Sequence, residues 1–127
     1  RIVLMGDSAG GNLTAAVSLL ARERGDFRPR TQILLYPLVY NDHSETTLFD
    51  SVRDNGEDDI LTRQAIVDYI ELYLRTPADF HDSRFAPLIA TSLADLPRTL
   101  VITLCATRAR LSLRAWIRRA TKWPASA

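Results

Sequence analysis

The sequence predicts an α/β fold in which a parallel sheet is flanked by helices. Three short apolar runs of strand length lie near residues 2–5, 32–36 and 99–103. Between these runs, apolar residues recur at helical spacing rather than in alternation. Parallel strands need long crossover connections that are usually helical, so this order of runs predicts a parallel sheet covered by helices. At 127 residues and 46% apolar content, the chain has the size of one domain at most.

A glycine-rich hexapeptide, Gly6 to Gly11, directly follows the first apolar run. Its Gly-x-Ser-x-Gly spacing between a strand and a helix is typical of a nucleophile elbow, in which a strained backbone lifts the serine hydroxyl above the sheet edge. We therefore predict Ser8 as a catalytic nucleophile, and we expect glycine at Gly6 and Gly10 because any side chain there would clash. The turn also directs the Ala9 amide toward a developing oxyanion.

Two other interpretations of this hexapeptide are open: a plain glycine-rich turn before a helix, and a loop that binds phosphate. A phosphate-binding loop would require a lysine or further glycines around the turn, and neither is present. The following residues favour the elbow, because they predict a helix with one apolar face that ends in a basic turn and a glycine cap. The apolar positions are Leu13, Ala16, Val17 and Leu20, and the expected end is Arg24-Gly25.

The second strand, residues 32–36, is expected to end at Pro37, which cannot donate a hydrogen bond to a neighbouring strand. Residues 38–60 are polar and acidic, and they predict a long surface excursion. Thr62 is predicted to cap the next helix, and Pro77 marks its expected end. The apolar face of that helix comprises Ile66, Tyr69, Ile70, Tyr73 and Leu74.

The charge is distributed unevenly along the chain, although the net charge is only +1. Residues 1–95 hold nine basic and fifteen acidic side chains, whereas residues 96–127 hold seven basic and no acidic ones. This C-terminal stretch has two interpretations: a helix packed on the sheet, or a basic amphipathic segment for membrane or nucleic-acid surfaces. Its apolar positions at helical spacing are Leu113, Trp116, Ile117 and Ala120.

Few features of the sequence bear on its cellular setting. No apolar run approaches the length of a membrane span. The single cysteine, Cys105, excludes an internal disulfide, and we interpret it as incidental because no histidine follows to activate it. The chain starts at Arg1, immediately before strand residues, so we expect the natural fold to begin earlier. With no leader segment recognised, we expect a cytoplasmic location.

Four segments of the chain match, in order, the motifs of one known family. They are Gly6 to Asn12; Leu35-Tyr36-Pro37; Asn55-Gly56-Glu57 with Leu61-Thr62-Arg63; and Ala86-Pro87-Leu88 through to Thr103. These segments resemble the elbow, the end of the next strand, the approach to the following helix and the approach to the seventh strand of the hormone-sensitive-lipase-like α/β-hydrolases. The resemblance covers residues 1–103 and implies the central part of an α/β-hydrolase domain.

The resemblance implies a carboxylic ester hydrolase that forms a serine acyl-enzyme with a small-molecule ester and needs neither a cofactor nor a metal. Ser8 would be the nucleophile, and the Ala9 amide would be one oxyanion donor. The other donors of this family come from a His-Gly-Gly-Gly loop upstream of the elbow, and no such loop is found in this chain. We expect no nucleic-acid partner and no membrane span, and the sequence leaves the oligomeric state undetermined.

The acid and the histidine of a catalytic triad are not identifiable in this chain. The family supplies them after its seventh strand, in the order serine, acid, histidine. Here the resemblance stops after Thr103, and the two histidines, His43 and His81, both precede that point. We interpret both as surface histidines, and we expect Asp7 to support the elbow. We therefore expect the chain as given to hydrolyse esters weakly or not at all.

Residues 104–127 form a second predicted segment, a basic tail that is unlike the family's continuation. One set of codons for Leu104 to Arg110 encodes Leu-Arg-Asp-Glu-Gly-Glu when read two bases later, which is similar to the family's sequence just after its acid. We hypothesise a frame-changing deletion after Thr103. Two alternatives to an esterase are open: a non-catalytic ligand-binding member of the same fold, and a non-functional fragment.

Overall fold

A parallel sheet forms the centre of the protein. The computed structural model describes residues 1–44, 46–47 and 62–103. Within these ranges the strands are β1 (Val3–Asp7), β2 (Thr31–Leu35) and β3 (Arg98–Ile102). β2 lies between the other two and pairs with both in parallel, so that Val3 aligns with Thr31 and Thr31 with Arg98. The predicted parallel sheet, flanked by helices, is confirmed.

Two helices and two short 3₁₀ segments accompany the sheet in the described part of the chain. They are α1 (Ala9–Arg24), α2 (Arg63–Tyr73), and the 3₁₀ segments Pro77–His81 and Pro87–Ile89. As predicted, α1 ends at Gly25, which has φ +70° and donates its N–H to the carbonyl of Ala21. Thr62 caps α2, since its hydroxyl accepts a hydrogen bond of 3.2 Å from the Ala65 amide.

The core lies on the face of the sheet that α1 covers. Gln32 and Leu34 of β2 are fully buried on this face, while the alternating residues Thr31, Ile33 and Leu35 are only half-buried. This alternation follows from the strand geometry, in which successive side chains point to opposite faces. The core cluster comprises Ala15, Leu19, Leu34, Val39, Leu88, Ala90 and Leu93, with Tyr40, Leu96 and Val101 packed against it.

The apolar face predicted for α1 is wrong at Leu13 and Val17, while Ala16 is buried as predicted and Leu20 is half-buried. Leu13 is 51% exposed and Val17 is 37% exposed, whereas Ala15 and Leu19 are buried against the sheet. Small side chains on the inward face allow the helix to lie close to the strands, and buried Ser18 adds a hydrogen bond to the sheet. Close packing and polar pairing, rather than the largest apolar side chains, therefore decide which face of α1 turns inward.

The expected surface excursion over residues 38–60 is wrong for its first part, which packs against the body of the protein. Several of its side chains are buried: Val39, Asn41, His43 and Thr47. The Val39 carbonyl accepts from the Leu88 amide at 2.9 Å, and the Asn41 side-chain amide donates to the Phe80 carbonyl at 2.6 Å. These hydrogen bonds give polar residues a buried position that composition alone does not reveal. Residues 45 and 48–61 lie outside the described residues.

A chain of buried polar side chains connects α1 to the sheet. The Ser18 hydroxyl donates to the Gln32 side-chain oxygen at 2.8 Å, and the Gln32 side-chain amide donates to the Thr99 hydroxyl at 2.8 Å. The Thr99 hydroxyl in turn donates to the Pro97 carbonyl at 2.8 Å. Because Ser18 and Gln32 are completely buried, the first two of these hydrogen bonds satisfy groups that water cannot reach.

Substituting Ser18→Ala is expected to destabilise the fold by about 1–3 kcal/mol, because it leaves a buried oxygen of Gln32 without a donor. Urea unfolding followed by circular dichroism measures the effect. The double variant Ser18→Ala/Gln32→Leu is expected to recover part of the lost stability, since it also removes the Gln32 oxygen that has no donor. Unchanged unfolding of the single variant would show that this hydrogen bond does not contribute to stability.

The opposite face of the sheet exposes apolar side chains. Val3, Met5, Leu100 and Ile102 are between 48% and 66% exposed. Among the helices of the described ranges, none has the length and apolarity needed to cross a membrane. The basic tail predicted for residues 104–127, and its boundary with residues 1–103, lie outside the described residues.

Candidate active site

Ser8 occupies a strained turn between β1 and α1. Its backbone has φ +48° and ψ −118°, a left-handed conformation that a residue with a side chain rarely adopts. The Ser8 amide donates to the Leu35 carbonyl at 2.9 Å, and the Ser8 carbonyl accepts from the Asn12 amide at 3.1 Å. Ser8 is solvent-exposed. The strand, turn and helix of a nucleophile elbow are therefore present as predicted.

Close contacts require glycine at two positions of the turn, Gly6 and Gly11. The sequence had predicted this requirement for Gly6 and Gly10. A Cβ atom at Gly6 would lie 2.1 Å from the Gly10 carbonyl oxygen, and one at Gly11 would lie 2.8 Å from Pro37 Cβ. A Cβ at Gly10 would meet only an Asp7 carboxylate oxygen, at an ordinary 3.6 Å. The expected clash is thus present at Gly6 and absent at Gly10.

Ala9 is the first residue of α1 and lies beside Ser8. The N–H of a first helical residue has no carbonyl four residues earlier in its own helix to bond with. The helix dipole also places partial positive charge at this end. Since Ala9 is exposed, its N–H is suited to a negatively charged oxygen that approaches from solvent. The role of Ala9 as an oxyanion donor remains a prediction.

Asp7 connects the elbow to the end of β2. The Tyr36 hydroxyl donates to an Asp7 carboxylate oxygen at 3.2 Å, and this hydrogen bond, together with the negative charge of Asp7, raises the pKa of Tyr36. Tyr36 itself has φ +34°, and its amide donates to the Ile102 carbonyl at 2.6 Å. β2 consequently ends at Leu35, one residue before the predicted end. These contacts join the carboxyl ends of all three strands next to Ser8.

His43 is buried, which corrects the expectation of a surface position. The residue is only 8% exposed, and its ring Nε2 lies 3.1 Å from the Tyr40 carbonyl. A carbonyl can only accept, so Nε2 carries the proton and donates it to Tyr40. The other ring nitrogen, Nδ1, is buried and finds no hydrogen-bond partner within the described part of the chain. Burial lowers the pKa of His43, because it disfavours the charged ring.

His81 lies at the surface as predicted, where its ring packs edge-on against Phe80 with the centroids 5.4 Å apart. In the residues that the structure describes, no hydrogen bond joins Ser8 to His43 or to His81. The same ranges hold no cluster of His, Cys, Asp and Glu side chains that could bind a metal ion. Ser8 is therefore positioned by its turn, while neither histidine of the chain is hydrogen-bonded to it.

The buried position of His43 predicts that stability falls as the pH drops below neutrality. The folded-state pKa of His43 lies below its ordinary value of 6.5, so between the two values the unfolded chain binds more protons. The contribution is complete above pH 6.5 and is lost as the pH falls toward the folded pKa. Urea unfolding between about pH 7 and pH 5 should show this slope.

A matched pair of variants isolates this effect of pH on stability. The slope should flatten in His43→Leu, and it should persist in His81→Leu, because His81 is exposed. A slope that survives the loss of His43 would contradict the assignment. Asp42 and Asp82 also have lowered pKa values, caused by hydrogen bonds from Ser44 and Arg84, but they lose their contribution only below about pH 4.

An apolar cavity of about 280 Å³ opens beside the elbow. The Asn12 side-chain amide fixes its walls by donating to the Leu38 carbonyl at 2.6 Å and to the Phe85 carbonyl at 2.7 Å. The rings of Tyr73 and Phe85 stack with centroids 5.6 Å apart. The lining residues are Ala9, Asn12, Leu13, Leu38, Tyr40, Tyr69, Ile70, Tyr73 and Phe85.

Sequence reasoning missed this cavity because its walls come from four separate segments. The available signal was the apolar face predicted for α2, whose Tyr69 and Tyr73 are more than half exposed instead of buried in a core. A second, more open depression of about 400 Å³ lies between the end of α2 and the first 3₁₀ segment. It includes no residue of the elbow, so the smaller cavity is the one adjacent to Ser8.

The chain is similar in sequence to proteins of the alpha/beta hydrolase fold. A sequence profile described as alpha/beta hydrolase fold matches residues 1–118. An arylesterase of Saccharolobus solfataricus is 36% identical over 104 residues, which are 81% of this chain and 32% of the relative. An ethyl acetate hydrolase of Pseudomonas putida is 31% identical over 107 residues, which are 83% of this chain and 32% of the relative.

Solved structures of esterases share the backbone arrangement. One of two fungal esterases from Rhizomucor miehei superposes with a TM-score of 0.80 and 36% identity over 93% of this chain and 36% of its own. A thermostable esterase from Pseudomonas putida ECU1011 gives a TM-score of 0.80 and 28% identity over the same shares. The chain thus spans about a third of the length of the relatives it matches.

Proposed function

The chain belongs to the α/β-hydrolase fold family, and from this premise we propose that it is a carboxylic ester hydrolase acting through Ser8. The observation that carries this proposal is the geometry of the turn. Ser8 is exposed with φ +48°, the Ala9 amide begins a helix beside it, and Gly6 leaves room for the close approach of the helix. This arrangement serves acyl transfer, because it places a nucleophile next to a donor for the developing oxyanion.

The proposed reaction has two stages. The Ser8 hydroxyl oxygen attacks the ester carbonyl carbon, and the resulting oxyanion accepts a hydrogen bond from the Ala9 amide. Collapse of this intermediate breaks the bond to the alcohol, which leaves with the proton that Ser8 has lost. Water then attacks the acyl-enzyme, releases the carboxylic acid and restores the Ser8 hydroxyl. No cofactor takes part in these steps.

The relatives support hydrolysis of small esters. They carry the names arylesterase and ethyl acetate hydrolase, which describe enzymes acting on small esters rather than proteins that only bind a ligand. These names favour the esterase over the ligand-binding alternative. We extend them to this chain as a proposal, because it spans about a third of their length. The cytoplasmic location stays a prediction.

Release of para-nitrophenol from para-nitrophenyl acetate tests the proposal. We expect a slow burst of at most about one equivalent per chain at alkaline pH, where hydroxide can remove the Ser8 proton. The burst should vanish in Ser8→Ala, and para-nitrophenyl phosphate should give none, since the described residues that line the cavity beside Ser8 include no cationic group for a phosphoryl group. A burst that survives in Ser8→Ala would contradict the proposal.

A further inference from the structure

We propose that Tyr36 is a positioning residue for the proposed reaction: its hydroxyl holds the Asp7 carboxylate away from the Ala9 amide and so leaves that amide to the oxyanion of the substrate. The inference rests on the proposed function, because it concerns the same oxyanion donor. Three observations carry it: the free amides at the start of α1, the carboxylate beside them, and the hydrogen bond that Tyr36 donates to this carboxylate.

The first turn of α1 has backbone amides without acceptors. Ser8 precedes the helix at the N-cap position, where a serine hydroxyl commonly accepts a hydrogen bond from one of these amides. Here the Ser8 side chain makes no such bond. In the described part of the chain, the amides of Ala9, Gly10 and Gly11 donate to no other group either. The start of α1 therefore offers free N–H groups to an acceptor that reaches it.

The Asp7 carboxylate lies beside this turn and can compete with a substrate for its amides. Asp7 directly precedes Ser8 and is exposed. One of its carboxylate oxygens lies 3.6 Å from the position that a Cβ atom on Gly10 would occupy. A carboxylate at a helix N-terminus is stabilised by the free N–H groups and by the helix dipole. A carboxylate bonded to the Ala9 amide would exclude the oxyanion and repel its negative charge.

Tyr36 gives this carboxylate a different partner. Its hydroxyl donates to the other carboxylate oxygen of Asp7 at 3.2 Å. This hydrogen bond, followed by the negative charge of Asp7, raises the pKa of Tyr36 above the ordinary value of 10.0. The hydroxyl therefore keeps its proton, and remains a donor, at the moderately alkaline pH at which Ser8 is expected to be acylated. The bond draws the carboxylate toward the end of β2.

The backbone fixes the place from which Tyr36 acts. Tyr36 has φ +34° at the end of β2, and its amide donates to the Ile102 carbonyl of β3 at 2.6 Å. The preceding carbonyl, that of Leu35, accepts from the Ser8 amide at 2.9 Å. Since the Tyr36 side chain is 38% exposed, its hydroxyl can be removed without leaving a cavity in the core. Tyr36→Phe should therefore release Asp7 with little effect on the fold.

The rate of the para-nitrophenol burst from para-nitrophenyl acetate tests the inference on the full chain at about pH 9. Loss of one oxyanion donor slows acyl transfer about 10²- to 10³-fold. A released Asp7 occupies the Ala9 amide for only part of the time, so Tyr36→Phe should slow the burst by less, about tenfold. Urea unfolding should find this variant nearly as stable as the unsubstituted chain, which separates the effect from damage to the fold.

A second substitution distinguishes competition by Asp7 from a purely structural role of the hydroxyl. Tyr36→Phe/Asp7→Ala also removes the competing carboxylate, so its burst rate should return to within about twofold of the unsubstituted chain. Tyr36→Phe/Asp26→Ala is the matched control, because Asp26 is an exposed carboxylate just beyond the C-terminal end of α1. This control should stay about tenfold slow. A structural defect caused by the missing hydroxyl would not be repaired by removing Asp7.

The NMR signal of the Ala9 amide gives a readout that needs no reaction. A charge-assisted hydrogen bond is short and strong, and it moves the proton signal of the donating amide downfield. We expect this shift for Ala9 in Tyr36→Phe and in Tyr36→Phe/Asp26→Ala. In Tyr36→Phe/Asp7→Ala the signal should return to its position in the unsubstituted chain.

The outcomes separate this inference from the proposed function. An unchanged burst rate and an unchanged Ala9 signal in Tyr36→Phe would overturn the inference. A slow burst and a shifted Ala9 signal that both persist in Tyr36→Phe/Asp7→Ala would overturn it as well. If Ser8 of the unsubstituted chain is not acylated while the Ala9 signal follows the expected pattern, the role of Tyr36 in placing Asp7 is supported and the proposed reaction is contradicted.

Discussion

Hydrolysis of para-nitrophenyl acetate by this chain is expected to be about 10⁴- to 10⁶-fold slower than by an esterase with a complete triad. The reason is the position of its two histidines. His43 is buried and donates its ring N–H to Tyr40, and His81 lies at the surface beside Phe80. Without a histidine in contact, the Ser8 hydroxyl keeps its proton at neutral pH and is a weak nucleophile.

Steady-state release of para-nitrophenol measures this turnover, and two variants serve as controls. His43→Ala and His81→Ala are expected to hydrolyse the ester at the same low rate as the unsubstituted chain. Turnover typical of an intact esterase, abolished by Ser8→Ala and by one of these substitutions, would contradict the account.

If a deletion after Thr103 changed the frame, the nucleotide sequence read in the restored frame should encode an aspartate and a later histidine, and its product should be active.

Substituting Gly6→Ala is expected to destabilise the fold by about 3 kcal/mol or more, and so to prevent the elbow from forming. The new methyl group would lie 2.1 Å from the Gly10 oxygen and 2.8 Å from the Thr14 hydroxyl oxygen. The nearest atoms belong to the backbone of α1, which cannot move aside as a flexible side chain would. To accommodate the methyl group, the first turn of α1 would have to move away from the C-terminal end of β1.

Gly10→Ala is the matched control for this prediction. Its methyl group would meet no atom closer than 3.6 Å, and alanine restricts the unfolded chain, so the variant should be unchanged or more stable by up to about 1 kcal/mol. Urea unfolding of the three proteins gives the comparison. The prediction would be contradicted if Gly6→Ala and Gly10→Ala lost the same stability. The close approach of α1 to β1 would then not explain why glycine is needed at Gly6.

The parts of the fold that were predictable are those set by local pattern. The apolar runs at β1, β2 and β3 are flanked by turn residues and helical segments, so their identity as parallel strands followed directly. Ser8 and Gly25 were predictable for a related reason. A strained turn and a left-handed helix cap each need particular residue types at particular spacings.

The parts that were not predictable depend on long-range contacts. The inward face of α1 is set by the hydrogen bond from Ser18 to Gln32 and by close packing of small residues, and neither enters an apolar pattern. His43 sits in a polar stretch and is buried by its loop. Gly11 is required because Pro37, from a distant part of the sequence, packs against it.

Peptide mapping by mass spectrometry after reaction with para-nitrophenyl acetate tests the central claim most directly, because it locates the acyl group on the chain. The account predicts an acetyl group on Ser8 that accumulates at alkaline pH, since deacylation lacks a base just as acylation does. The exposed hydroxyl of Ser44 should stay unmodified, and Ser8→Ala should lose the adduct. Acetylation of Ser44 and other exposed groups, with Ser8 left free, would contradict the assignment of Ser8 as the nucleophile.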